Sequence, residues 1–445
     1  MNILFISLGC DKNLVDSEVM LGLLKRNGHT LTNDEQMAEV IVVNTCSFIH
    51  DAKEESVTTI LEMAELKKAG SCKILIVTGC LAQRYQAEIL DEIKEVDAIL
   101  GTSSYHRIIE AIDEVLAGGK SVHFDAIDQL PKVDINRVIT TAGYSSYLKI
   151  AEGCDKHCTY CIIPKIRGNY RSFPKEDILR DARRLERAGV KELNIVAQET
   201  TMYGKDLYGR KVFHELLKDL CKLDGIQWIR ILYCYPEEIT DDLIQVIKSE
   251  PKICKYLDIP IQHASDAILK RMGRRTNRQE LLSIINKLRQ EIPDIALRTT
   301  LITGFPGETT KDHEELISFI ENVRFDRLGV FTYSQEEDTA AALMEDQIDE
   351  TLKISRKDEL MQAQQKIVFK LSEKMIGKEV EVLVEGKLPE DNVYIGRTYK
   401  DAPEIDGYIF IHYAKELNSG DIVRAKVAGA NEYDLIGEMI DEFTK

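Results

Sequence analysis

Residues 147–161 read YLKIAEGCDKHCTYC: a short strand-like run, a glycine, and then Cys154, Cys158 and Cys161 in a Cys-x3-Cys-x2-Cys spacing. The run is the first of six, the others being ELNIVAQ, WIRILYC, YLDIPIQ, ALRTTLITG and RLGVFTY, and each but the last leads into an amphipathic helical pattern. Short apolar runs alternating with helices read as strands of a parallel sheet covered on its faces. Ser172 ahead of Pro174, followed by the stripe Ile178, Ala182 and Leu185, shows one such helix start and its buried face. Six βα repeats predict a partial (β/α)6 barrel of TIM type over residues 141–350, with its chemistry at the carboxyl ends of the strands. The cysteines follow the first strand, so they belong to an active-site loop. Structural zinc takes four ligands, yet no fourth cysteine is close in sequence and His157 is poorly placed beside Cys158. Three thiolates on an iron-sulfur cluster instead leave one iron open, able to bind amino and carboxylate groups of a ligand and pass it an electron.

Upstream, three more cysteines end β-branched runs: ILFISLGC, VIVVNTC and KILIVTGC. Cys10, Cys46 and Cys80 are thereby spaced by 36 and 34 residues, about one strand-plus-helix unit. Helical patterns follow at Ser17–Leu24, Ser56–Leu66 and Gln83–Ile93, and a strand at Ala98–Leu100 with a helix at Tyr105–Leu116 completes an open parallel α/β domain over 1–120. Strand carboxyl ends share one edge of such a sheet, so the three cysteines can converge there. The plain alternative is that they are buried small hydrophobes, which is also the reading for Cys72, Cys221, Cys234 and Cys254, each near an apolar run without partners. Residues 121–140, weakly periodic and containing Pro131, read as a linker. A helix at Ile354–Met375, stopped by Gly377, reads as a connecting helix within 351–377. Beyond it, residues 378–445 hold five short alternating runs, the pattern of a small all-β barrel of the oligonucleotide-binding type.

A chain of 445 residues suits about three domains, so the fold class expected is α/β with a small β-barrel appended. The 44% apolar and 30% charged composition, with only 10 prolines, excludes a disordered or collagenous chain. A net charge of −17 disfavours free nucleic acid as a partner. No stretch approaches 18 apolar residues, and the start MNILFISLGC has neither the basic region nor the cleavage site of a secretory signal, so a cytoplasmic protein with no membrane partner is expected. Ten cysteines in that compartment point to metal or redox chemistry rather than to a disulfide framework.

Cys154, Cys158 and Cys161, with Tyr160 before the last, resemble the signature of radical S-adenosylmethionine enzymes, whose cluster reductively cleaves that cofactor to a 5′-deoxyadenosyl radical. With Cys10, Cys46 and Cys80 in a preceding α/β domain and a C-terminal β-barrel, the whole chain resembles the methylthiotransferases. The resemblance implies two 4Fe-4S clusters, one on each triplet, with S-adenosyl-L-methionine as cofactor, an external electron donor and a TRAM domain at the C-terminus. Asp11-Lys12-Asn13 after Cys10 resembles the RimO-type branch, which modifies an aspartate of ribosomal protein twelve of the small subunit; the branch acting on transfer RNA usually shows Gln-Met-Asn there. The last domain agrees, since its 8 Lys and Arg face 15 Asp and Glu, a net −7 where a barrel gripping RNA should be basic. An acidic barrel suits a basic ribosomal protein. GRTYKDAPEIDGYIFI, carrying Asp401, Glu404 and Asp406, also resembles that branch, with substrate recognition as one reading and a solvated face as the other.

The same resemblance assigns Tyr160, Gln198 and Glu199, then Gln262, Thr300, Ile302 and Gly304, to cofactor contacts at the ends of barrel strands. Aspartate is commoner in the family at the position of Glu199, and glycine at 304 would let backbone approach the cofactor rings. Alternatively, Gln198 and Gln262 satisfy strand-end backbone groups, while His157 and His263 are polar loop residues. Arg274 and Arg275 are candidates for the cofactor carboxylate or for an acidic substrate. The implied activity is addition of a methylthio group to an aspartate β-carbon. The rivals are methylthiolation of a transfer RNA adenosine and a non-catalytic iron-sulfur electron carrier or sensor.

Overall fold

The β-branched runs form buried parallel strands in the computed structural model, which describes residues 1–131, 136–389 and 392–440. Positions 132–135 of the expected linker, and 390–391 and 441–445 of the expected last domain, lie outside the described residues. The N-terminal part runs β1 (Asn2–Ser7), α1 (Asp11–Arg26), β2 (Thr30–Leu31), β3 (Val40–Thr45), α2 (His50–Ala69), β4 (Ile74–Gly79), α3 (Cys80–Tyr85), α4 (Ala87–Glu92), β5 (Ala98–Leu100), α5 (Ile108–Leu116) and β6 (Ser121–His123). Its six strands pair in parallel in the order β2-β1-β3-β4-β5-β6. Every residue of β3 and β4 is buried, because separate helix layers cover the two faces of the sheet.

Three details differ from the periodicity. Strand β6 extends the sheet past residue 120 into the stretch read as linker; three residues are too few for alternation to show. The helix expected at Gln83–Ile93 is two short helices, parted at Gln86, whose φ of 42° no helix accommodates. Helix α1 starts at Asp11, directly after Cys10, well before its apolar stripe begins.

The middle of the chain runs β7 (Ser145–Lys149), β8 (Ala151–Glu152), α6 (Ile163–Arg167), β9 (Arg171–Ser172), α7 (Lys175–Arg187), β10 (Glu192–Val196), α8 (Lys205–Tyr208), α9 (Phe213–Cys221), β11 (Trp228–Ile231), α10 (Asp241–Ser249), β12 (Ile253–Asp258), α11 (Asp266–Arg271), α12 (Arg278–Glu291), β13 (Ala296–Thr303), α13 (Thr310–Val323) and β14 (Arg327–Thr332). Six parallel strands in the order β7-β10-β11-β12-β13-β14 make the expected partial barrel. Strand alternation gives it two unlike faces. Leu193, Ile195, Ile229, Ile231, Leu257 and Leu297 pack under the helices, whereas Val196, Trp228, Leu232, Tyr256 and Ala296 face the other way, against Leu383 and Ala402 of the last domain.

That last domain follows the long helix α14 (Glu350–Glu373). It is a closed barrel of β15 (Glu379–Lys387), β16 (Val393–Arg397), β17 (Ile409–His412), β18 (Ile422–Ala430) and β19 (Leu435–Met439) in the order β15-β16-β17-β19-β18. It is joined to the sheet by buried ions. Glu192 of β10 takes Arg397 at 2.6 Å and Arg230 of β11 at 3.0 Å, with all three side chains fully buried. Asp401 pairs with Arg327, and Asp406 meets Arg298 at 3.4 Å and the Tyr256 hydroxyl at 2.8 Å. The acidic loop is therefore not one solvated or substrate-facing patch: Asp401 and Asp406 are spent inward on barrel arginines, and of the three carboxylates singled out only Glu404 is exposed. The N-terminal part is fastened similarly, Arg137 lying between Glu18 of α1 at 2.6 Å and Asp181 of α7 at 3.2 Å.

Candidate active site

The loop between β8 and α6 carries Cys154, Cys158 and Cys161. Its shape is fixed by backbone hydrogen bonds that do not depend on the thiols: Cys154 N–H donates to Gly168 O (3.1 Å), Thr159 N–H to Met272 O (2.9 Å) and Ala341 N–H to Thr159 O (2.8 Å). Cys154 and Cys158 are buried and Cys161 is half-buried. Burial pushes the Cys154 thiol up to about 12, the neighbouring Cys158 adding to it, and burial together with Cys158 raises Cys161 as well. Thiols that oppose one another's ionisation in a dry pocket become thiolates only with a cation among them.

Cys10 caps the start of α1, Cys46 follows β3 and Cys80 opens α3, so the three strand-end cysteines do gather along one edge of the first sheet. Burial pushes Cys46 up to about 12, with Cys80 and Cys10 adding to it. The approach depends on two glycines that precede cysteines. A Cβ on Gly9 (φ 93°) would lie 2.9 Å from Cys46 Cβ, and one on Gly79 (φ 92°) would lie 2.3 Å from Asn44 Oδ1. Gly9→Ala is therefore expected to push Cys10 away from Cys46 and roughly halve the iron bound after reconstitution, from about eight to about four per chain if each triplet holds four irons; iron assay and absorbance check this.

Among the described residues, the one trio that brings three ligand atoms within 4.8 Å of one another is Glu110, Glu114 and His123, where Arg107 already holds Glu110. Two thiolates bound to one zinc at about 2.3 Å each can be at most about 4.6 Å apart. Neither cysteine triplet, as folded, brings its three sulfurs within the reach of a single zinc ion.

The segment that follows β11 reaches both cysteine regions. Tyr233, held at φ 58°, donates its hydroxyl to Asp11 (3.3 Å), and the Lys12 ammonium sits 3.3 Å from its ring centroid. Two residues on, the Tyr235 hydroxyl lies 3.7 Å from Cys158 Sγ, and its ring packs 4.3 Å from the Arg274 guanidinium. One strand end thus touches the neighbours of Cys10 on one side and Cys158 on the other. Cys10 itself lines a cavity of about 450 Å³ with Asp11, Thr140, Tyr147 and Glu404.

The residues expected to hold the cofactor sit on the cysteine loop and at or just after the ends of β10, β12 and β13. Gln198 donates to Glu152 Oε1 (2.8 Å), leaving its own Oε1 without a partner. Glu199 is buried, engages Thr201 with one oxygen and leaves the other without a hydrogen bond, 3.9 Å from the Lys156 ammonium; burial lifts its carboxyl to about 7. Gln262, at φ 70°, exchanges backbone hydrogen bonds with β13 through Thr300 O and Ile302 N–H, while its Oε1 stays unpartnered. Thr300 and Ile302 are half-buried, and Ile302 packs with Tyr160 against Phe305. His263 is fully buried and neutral: Nδ1 accepts from Ser265 N–H (2.9 Å), and burial lowers its pKa to about 3.

At Gly304 the space a Cβ would take is filled by Lys353 Cγ of α14, 2.2 Å away, so packing against that helix also requires a glycine there. Arg274 and Arg275 separate: Arg275 is exposed, whereas Arg274 is buried and uses only Nη2, on Pro260 O (2.9 Å), leaving Nε and Nη1 without partners. A buried polar atom left unpaired costs about 1–3 kcal/mol. Unpaired atoms of Glu199, beside Lys156 of the cysteine loop, and of Arg274, packed on Tyr235 next to Cys158, mark a place there for a polar ligand. Cys72, Cys234 and Cys254 are core side chains as read, and Cys221 packs against the core. The sequence reading missed Tyr235, Lys156 and Arg167; Tyr235 was findable, ending a barrel strand as Gln198 and Gln262 do.

Comparison with known proteins covers the same three parts. Residues 2–101 match the Uncharacterized protein family UPF0004, 148–320 the Radical SAM superfamily and 376–440 the TRAM domain. The chain is 66% identical over 437 residues to the ribosomal protein uS12 methylthiotransferase RimO of Lachnoclostridium phytofermentans, covering 98% of this chain and 99% of that one. It is 52% identical to the protein of that name from Clostridioides difficile, over 98% of each chain. Among solved structures, the radical S-adenosylmethionine methyltransferase TsrM from Kitasatospora setae, with cobalamin and a [4Fe-4S] cluster bound, superposes with a TM-score of 0.55 over 74% of each chain at 12% identity, a likeness of fold.

Proposed function

Since this chain belongs to the RimO family of ribosomal protein uS12 methylthiotransferases, we propose that it adds a methylthio group to uS12, at an aspartate β-carbon, using S-adenosylmethionine and two 4Fe-4S clusters. The observation that carries this reading is that the segment after β11 contacts both cysteine regions, Tyr233 through Asp11 next to Cys10 and Tyr235 at Cys158. Cys154, Cys158 and Cys161 would hold the cluster that cleaves the cofactor, and Cys10, Cys46 and Cys80 the one used for sulfur insertion. An aspartate β-carbon bears no readily ionised proton, so general acid-base catalysis gains little there; the bound cofactors supply reductive cleavage and hydrogen abstraction.

The chain's own side chains orient and shield. Arg274 offers two buried N–H groups to the carboxylate of S-adenosylmethionine, Gln198 and Gln262 offer acceptors, and Tyr160, Ile302 and Phe305 give the pocket an apolar wall. Thr300 and neutral His263 line the same strand ends. A charge-assisted hydrogen bond is worth about 1.5–3 kcal/mol, so Arg274→Ala is expected to weaken S-adenosylmethionine binding about 10- to 150-fold with iron content unchanged, as measured by anaerobic calorimetry.

The net charge of −17, with exposed Glu404 at the mouth of the Cys10 cavity, favours a basic protein partner over RNA. An external donor would supply the electrons. Among the described residues no helix is long and apolar enough to cross a membrane. Incubating the reconstituted enzyme with uS12 and, separately, with transfer RNA tests the assignment: a methylthio mass on uS12 is expected, and modification of the RNA alone would reject it.

A further inference from the structure

A buried polar network joins Cys80 to the barrel. Arg167 Nη2 donates to Cys80 Sγ (3.5 Å) and to Asn13 Oδ1, while Nη1 donates to Asp16 Oδ2 (2.7 Å) and Glu152 Oε2 (3.3 Å). The Lys149 ammonium bridges the same two carboxylates, and Gln198 donates to the other oxygen of Glu152. Asn13, Asp16 and Cys80 belong to the first sheet domain, and Lys149, Glu152, Arg167 and Gln198 to the barrel. Two cations face two carboxylates, so the network is neutral as a whole. Its charges are not evenly placed: of the four charged groups the guanidinium alone touches the sulfur, whose other contact in the network is Asn13 Oδ1 at 3.7 Å.

We propose that Arg167 is a positioning residue for Cys80 that raises the reduction potential of the cluster bound at Cys10, Cys46 and Cys80. A cluster on three thiolates is anionic, and reduction adds one more negative charge. A fixed guanidinium donating to a ligand sulfur therefore favours the reduced state, and hydrogen bonds to sulfur and local charge are the means by which a protein tunes such a centre. Because Arg167 lies on α6, just after the Cys154–Cys161 loop, the barrel sets the electron affinity of a centre held by a different domain.

This inference rests on the two-cluster reading, and the test separates the two. Redox titration of the reconstituted full-length enzyme, followed by electron paramagnetic resonance, gives both midpoints, with Cys46→Ala identifying which signal is the N-terminal one. Arg167→Leu removes the donor and leaves one net negative charge, so the N-terminal cluster is expected to be reduced at least about tenfold less readily, about 59 mV for one electron, with the barrel cluster unmoved. Arg167→Leu with Asp16→Asn keeps the network neutral and still lowers that midpoint through the lost N–H···S contact; Arg167→Lys recovers part of the shift. A purely structural residue would lower iron content without moving the midpoint of the cluster that remains. About eight irons in the wild type with unmoved midpoints in both Leu variants would overturn the role of Arg167 alone. About four irons in the wild type would remove the two-cluster reading itself.

Discussion

Cys158→Ala is expected to abolish both 5′-deoxyadenosine release and methylthio product, more than about a thousandfold in each, because three ligands acting as one unit fail together when one is lost. Cys158 is the thiol nearest Tyr235, in a loop whose backbone hydrogen bonds hold it in place regardless of metal, so the protein should stay folded while losing about four of about eight irons. Cys46→Ala should lose the same amount of iron from the other triplet and give a different phenotype: cofactor cleavage persists and methylthiolation stops. The physical basis is separation. Cys46 sits behind Gly9 at the edge of the first sheet, in a different domain from the loop of Cys158. Chromatography of the nucleoside product and mass spectrometry of uS12, run on both variants, decide it; equal loss of cleavage in the two would contradict the division of labour.

Glu192→Gln is expected to cause the largest loss of stability. Glu192 is fully buried between Arg397 and Arg230; burial alone would raise its pKa, but the two guanidiniums hold it down to about 2. Removing the carboxylate leaves buried Arg230 without a carboxylate partner and Arg397 with Glu385 alone, and breaking a buried ion cluster in this way costs about 3–5 kcal/mol in comparable sites. Because the folded pKa lies below the ordinary value near 4.5, this stabilisation is present above that value and is lost as pH falls from about 4.5 toward 2, amounting to about 3 kcal/mol. The thermal midpoint of Glu192→Gln at neutral pH should drop by roughly 5–10 °C, with protease cutting near α14 as the last domain loosens. Wild type should show an acid-labile phase between pH 4.5 and 2 that the variant lacks. An unchanged melting curve with unchanged acid sensitivity would show that the ion cluster is incidental.

The sequence announces the architecture clearly where elements are long and regular. Six barrel strands, the three strand-end cysteines of the first sheet and the five strands of the last barrel stand where alternation places them. Strand β6 escapes because three residues carry no period, and the break at Gln86 escapes because no glycine or proline marks it. The site is legible for the cysteines, since their spacing is local, and much less so for what surrounds them. Arg167, Lys156 and the inward pairing of Asp401 and Asp406 depend on contacts between residues far apart in the chain, and a charged residue in a loop reads as solvated until its partner is known. Gly304 carries a second demand that the sequence does not show, since Lys353 of α14 fills the space a Cβ would take.

The seam between Glu192, Arg230, Arg298 and Arg327 on the sheet and Arg397, Asp401 and Asp406 on the last barrel has a consequence for protein engineering. Grafting the terminal module of a distant homologue onto this enzyme would strand charges on both sides of the cut. A working chimera would have to carry its matching carboxylates and guanidiniums along, so this module is inherited as a fitted part rather than as an interchangeable accessory.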